Sequence, residues 1–141
     1  MVDLQSILAD HRPKFSSHEK EEEKSANKPT AKFSEIPDLF FDDILVRFKL
    51  TRIEIMVLMY LYRHVWCRAN LYKVYGISQL LSHTEVAKNL TISLEDIYHA
   101  LRKLEEYSFI MTVRSGQYFV RKFFLKELDE KFNQTYDDFE I

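Results

Sequence analysis

Two glycines, three prolines and one cysteine stand in a chain of 141 residues. So little glycine and proline excludes collagen-like and glycine-rich repeats, argues against a turn-dense sandwich, and leaves helices as the main expectation. Cys67, being alone, permits neither an internal disulfide nor a cysteine-rich zinc site, which fits a reducing, cytoplasmic setting. No apolar run reaches the roughly 20 residues that span a bilayer. The longest, Ile53 to Trp66, is interrupted by Glu54, Arg63 and His64. Met1 to Asp10 places charge and Gln5 among its aliphatics, so it lacks the apolar centre and cleavage pattern of a signal peptide. A soluble protein with no membrane partner is expected. A nucleophile elbow, a Walker loop, a dinucleotide glycine motif and an H-E-x-x-H pair are all missing too, so a non-enzymatic role without a cofactor is expected. His64 and Cys67 lie three apart but lack companion ligands, and no metal site is assigned to them.

Apolar material is plentiful by contrast. Hydrophobic residues make up 46% of the chain, including eleven Phe, eight Tyr and one Trp, enough for the core of one compact domain. The net charge is only −2, but its distribution is uneven. Residues 1–33 carry six basic and six acidic side chains, residues 34–126 carry thirteen and ten, and residues 127–141 carry one and six. A mildly basic body with an acidic tail is compatible with a polyanion partner.

Composition divides the chain into three parts. Residues 1–33 are expected to be a flexible segment: His11 to Lys32 holds a single large apolar residue, Phe15, amid charge, Ser, Asn and two Pro. Ahead of it, Asp3 can cap a short turn that groups Leu4, Ile7 and Leu8, either a frayed terminus or a docking peptide. Residues 34–126 form the body, and residues 127–141 an acidic tail whose end, QTYDDFEI at 134–141, is expected to fray.

Within the body, Ile36-Pro37-Asp38 followed by Leu39, Phe40, Phe41, Ile44, Leu45 and Phe48 predicts a first helix. Thr51-Arg52-Ile53-Glu54 is a capping-box pattern that opens a central helix from about 52 to 68. The stretch from Asn70 to Gln79 suits a loop leading into a short strand. Ser82-His83-Thr84-Glu85 caps a short helix, and Thr91-Ile92-Ser93 separates it from a longer one with Ile97, Ala100, Leu101 and Leu104 at helical spacing. Two β-rich runs, Phe109 to Val113 and Tyr118 to Phe124, flank Arg114-Ser115-Gly116-Gln117 and predict a hairpin. The fold class is therefore mainly α with a small β-hairpin, an α+β domain, with a last helix expected over Leu125 to Phe132.

The order of these elements and the stretch SHTEVAKNLTISLEDIYHALRKLEEYSFI, residues 82–110, resemble a winged helix-turn-helix domain. The Ile36 to Trp66 helices that precede it also resemble the N-terminal domains of phage and plasmid replication proteins. The resemblance implies binding of duplex DNA, in transcriptional regulation or replication initiation, with the helix from Leu94 to Tyr107 in the major groove and the hairpin near the backbone. Where many family helices begin with Arg, Gln, Ser or Thr, this one has Leu94, Glu95 and Asp96, and Thr91 and Ser108 stand where glycine is common. On that reading the DNA-binding side chains are Ser93, Tyr98, His99, Arg102 and Lys103 on the helix, with Arg114, Arg121 and Lys122 on the hairpin. The alternative is a protein-interaction or assembly module, its partner meeting the termini or the aromatics Tyr118, Phe119, Phe123 and Phe124. Leu125, Leu128 and Phe132 offer a seam for a homodimer.

Overall fold

The computed structural model describes residues 28–139. The docking turn at Asp3 to Leu8 and most of the His11 to Lys32 segment lie outside the described residues. Two units divide the chain, Met1–Phe33 and Ser34–Ile141. In the first, residues 28–33 are exposed and hold no helix or strand. The second is mainly helical with one antiparallel hairpin, an α+β arrangement.

Helix α1 opens with π-helical turns over Phe40–Ile44 and closes with an α turn over Leu45–Arg47. Pro37 suits its approach, because a residue there needs no donor of its own, and its carbonyl accepts from the Phe40 N–H at 3.0 Å. Helix α2, Arg52–Tyr62, continues as π-helical turns over Arg63–Cys67. Its start is a complete capping box: Thr51 Oγ1 accepts from the Glu54 N–H at 3.2 Å, and Glu54 Oε1 accepts from the Thr51 N–H at 3.1 Å. Ser82 and Ser93 cap α3, His83–Leu90, and α4, Leu94–Glu106, by accepting from the Glu85 and Asp96 N–H groups. Three helix starts legible in the sequence are thus fixed by local chemistry.

Val57, Leu58, Leu61 and Val65 of α2 are buried against Ile97, Ala100, Leu101 and Leu104 of α4, the four positions expected to face inward. The hairpin closes this core. Strands β1, Ile110–Arg114, and β2, Gln117–Val120, pair antiparallel with Met111 opposite Phe119 and an irregularity between Thr112 and Arg114. The turn is shorter than expected, Ser115-Gly116, and Gly116 takes φ +82°. The loop expected between Asn70 and Gln79 runs along the outer edge of β2. There the Val120 N–H donates to the Gly76 carbonyl at 2.8 Å and the Ser78 N–H to the Tyr118 carbonyl at 2.9 Å. Only Ile77 makes a formal bridge, to Phe119, so the expected short strand is reduced to a single pair.

Two boundaries differ from the sequence reading. The second strand stops at Val120 instead of reaching Phe124, because the Phe124 N–H turns back to the Arg121 carbonyl and the Phe123 N–H is taken by Asp129. The expected last helix forms, and the segment after it, residues 134–141 and expected to fray, is instead packed where it is described. Helix α5, Lys126–Lys131, buries Leu128 and Asp129, and the Tyr136 hydroxyl accepts from the Lys122 N–H and donates to Asp129, both at 2.8 Å. The Tyr136 ring covers Gly76 and meets Phe119 edge-on at 4.8 Å. Asp129 also pairs with Arg121 at 3.2 Å, so the carboxylate, 2% exposed, has its oxygens occupied by three donors. Removing one partner of a buried pair leaves the other uncompensated. Asp129→Ala is expected to cost about 3 kcal/mol in urea unfolding and to release Tyr136.

Among the described residues four non-glycine residues have positive φ: Thr91 at 56°, Ser108 at 66°, Phe124 at 72° and Asn133 at 59°. Thr91 and Ser108 are the two positions at which the sequence resemblance leads to an expectation of glycine. A β-branched residue is disfavoured in this region by its Cβ. Thr91 accepts the strain as the C-cap of α3, its N–H bonded to the Lys88 carbonyl. Thr91→Gly is therefore expected to stabilise the fold by up to about 1 kcal/mol, read as a raised denaturation midpoint.

Candidate functional site

The outward surface of α4 is set by helical geometry. With Ile97, Ala100, Leu101 and Leu104 buried, the opposite crest carries Glu95, Arg102 and Glu106, within about 20° of one line at 3.6 residues per turn. Tyr98 and Glu105 flank the crest on one side and Asp96, His99 and Lys103 on the other. Neighbouring elements identify the flanks. Asp96, His99 and Lys103 line a depression of about 270 Å³ with Thr51, Ile53 and Glu54 at the start of α2. Glu105 turns to the hairpin, its Oε1 accepting from the Thr112 N–H at 3.1 Å and from the Thr112 hydroxyl.

Tyr98 faces the start of α3, its ring 5.1 Å from His83. His83 in turn is hydrogen-bonded through Nε2 to the Tyr118 hydroxyl on β2. The hairpin turn is seated on the same region. The Leu81 N–H donates to the Gly116 carbonyl at 2.7 Å, and a Cβ added to Gly116 would stand 2.5 Å from the Leu81 carbonyl oxygen. Only glycine fits both that contact and φ +82°. Gln117, fully buried, donates to the Ser78 carbonyl at 3.0 Å and accepts from Arg114 Nε at 3.0 Å, so it orients Arg114 beside the turn.

The eight side chains singled out in the sequence therefore separate. Tyr98 and Arg102 lie on or beside the crest of α4, and Arg114 stands next to the hairpin turn. Ser93 has its hydroxyl engaged as the α4 cap, and His99 belongs to the flank that faces α2. Lys103 pairs with Glu106 at 3.2 Å, and that hydrogen bond, with the nearby charge, raises its pKa. Arg121 is only 20% exposed in its side chain, paired with Asp129 and stacked 5.2 Å from the Phe119 ring. Lys122 lies over Trp66 at 5.6 Å, on a surface shared with Lys73 and Ile36 to Asp38. Arg121 and Lys122 thus lie beyond the end of β2, away from the turn. Arg102 and Glu95 make no ion pair among the described residues.

His83, Gln117 and Ser78 complete this corner and were missed in the sequence. Their roles come from contacts more than thirty residues apart in the chain, and Ser-Gly at the turn was the single local signal. Among the described residues no group of three His, Cys, Asp or Glu side chains converges as metal ligands would, and no helix is long and apolar enough to cross a membrane. His64 stacks 4.5 Å from Tyr60, and burial, helped by Arg63 and Arg68, lowers its pKa. Cys67 donates its thiol to the Glu35 carbonyl at 3.3 Å. Comparison with family models, curated proteins and solved structures gives no match.

Tyr118 supplies a test of the corner. Burial first, then the Glu105 charge, pushes its phenol from 10.0 up to about 12. The fold favours the neutral form, so this contribution is complete below pH 10 and is lost as pH rises through about 12. The denaturation midpoint is expected to fall between those limits, and less steeply in Tyr118→Phe.

Proposed function

We propose that the chain is a non-enzymatic winged helix-turn-helix protein that binds duplex DNA, serving in transcriptional regulation or replication initiation. The order α2, edge segment, α3, tight turn, α4 and hairpin supports this reading. Helix α4 would lie in the major groove with the hairpin turn as the wing beside it. The observation that carries the proposal is Arg102, exposed on the crest of α4 and free of any ion pair among the described residues, with Arg114 held by Gln117 at the tip of the wing. Arginine in those positions can donate in a fork to phosphate or to a guanine edge.

Fluorescence anisotropy of a labelled random-sequence duplex with the full chain tests this at low and at physiological salt. Affinity that falls steeply with salt is expected, because phosphate neutralisation releases counterions. Arg102→Ala combined with Arg114→Ala is expected to weaken binding about tenfold and to lower the salt slope by about one. Lys122→Ala, on the Trp66 surface, should leave it unchanged. Absence of binding at low salt overturns the proposal. It would favour a protein partner instead, a reading supported by Leu94 and Tyr98, 40% and 42% exposed next to two carboxylates.

A further inference from the structure

The crest of α4 carries opposite charges in a fixed order. Glu95 stands in the first turn, Arg102 two turns later, and each is exposed and unpaired among the described residues. The remaining charges of the helix are paired or lie off the free part of the crest. Lys103 holds Glu106, Glu105 binds the Thr112 backbone and hydroxyl, and Asp96 and His99 face the start of α2. Glu95 and Arg102 are therefore the two crest charges left for a ligand.

Electrostatics makes a carboxylate in this place costly for general phosphate binding. The first turn is the part of such a helix that approaches the base edges most closely. A carboxylate accepts hydrogen bonds only, and the major-groove edge of cytosine offers the N4 amino donor. Guanine offers two acceptors, O6 and N7, matched by the arginine fork. Seven helical residues rise about 10.5 Å, which corresponds to at most about three base-pair steps along the duplex axis for a helix inclined in the groove.

We infer that Glu95 and Arg102 are a base-reading pair, selecting duplexes with a cytosine at Glu95 and a guanine within about three base pairs of it at Arg102. This rests on the duplex-binding reading and adds a specificity to it. Glu95 then acts in two ways, recognising cytosine and repelling duplexes that place only phosphate or acceptor groups in its path. Weak binding to arbitrary DNA is the consequence.

Selection from a randomised duplex library with the full-length protein, repeated with Glu95→Gln and Arg102→Ala, tests the assignment. The unaltered chain should enrich a C·G pair and a G·C pair at a fixed spacing of no more than about three steps. Glu95→Gln should relax the cytosine position about tenfold while tightening binding to random duplex about threefold, and Arg102→Ala should relax the guanine position alone. A motif identical in all three proteins, or one without these pairs, overturns the inference while the duplex-binding reading stands. Salt-sensitive binding with no enriched motif does the same. No binding by any of the three proteins overturns both.

Discussion

Phe124 is the point on which the rest of this fold turns. Its ring is fully buried between Phe40 of α1 at 5.0 Å and Tyr62 of α2 at 5.1 Å, the latter nearly parallel, with Phe109 edge-on at 6.4 Å. One side chain therefore joins the first helix, the central helix and the residue that precedes β1. It does so from a left-handed backbone, φ +72°, that a bulky residue avoids on its own. Burial of a large aromatic, with stacking beyond area alone, outweighs the roughly 1 to 2 kcal/mol of that conformation.

The sharp turn that brings Phe124 into the core also sets the end of the sheet and the path of the C-terminal segment. Chain direction reverses at Arg121 to Phe124, so β2 cannot extend, and α5 returns with Asp129 aimed at the turn. Arg121, Phe123 and Tyr136 converge on that carboxylate. Arg121 is thereby withdrawn from the solvent surface and becomes a structural cation. The acidic segment, which composition alone presents as a solvated tail, is tied across the Gly76 loop by Tyr136, with Phe139 against Tyr72 and Tyr75.

The hairpin corner follows the same logic at the other end of the edge segment that runs along β2. Gly116 allows the turn to touch Leu81, Gln117 fills the buried space below it, and His83 links the start of α3 to Tyr118. Helix α4 is thus fixed between two supports, the α2 spine beneath and the hairpin beside it. Its crest keeps Glu95 and Arg102 in one line because the four apolar positions opposite allow a single rotation about the helix axis.

Local chemistry made much of this legible in advance. The three serine and threonine caps, the inward set on α4 and the existence of the hairpin are written in short-range spacing, because caps, helical periodicity and turn residues act over a few positions. Thr91 and Ser108 were marked as departures from a glycine pattern, and both have the positive φ that glycine would adopt most readily. The candidate site was legible only in part. Arg102, Tyr98 and Arg114 could be placed from helix and turn phase, whereas the engagement of Arg121 by Asp129 and of Lys122 by Trp66 could not. By itself the sequence determined the helix starts, the buried stripe and the α+β class. Tertiary structure alone decided the reversal at Phe124, the clasp of Asp129 and which cations remain free, since a charge is engaged or released by partners distant in the chain.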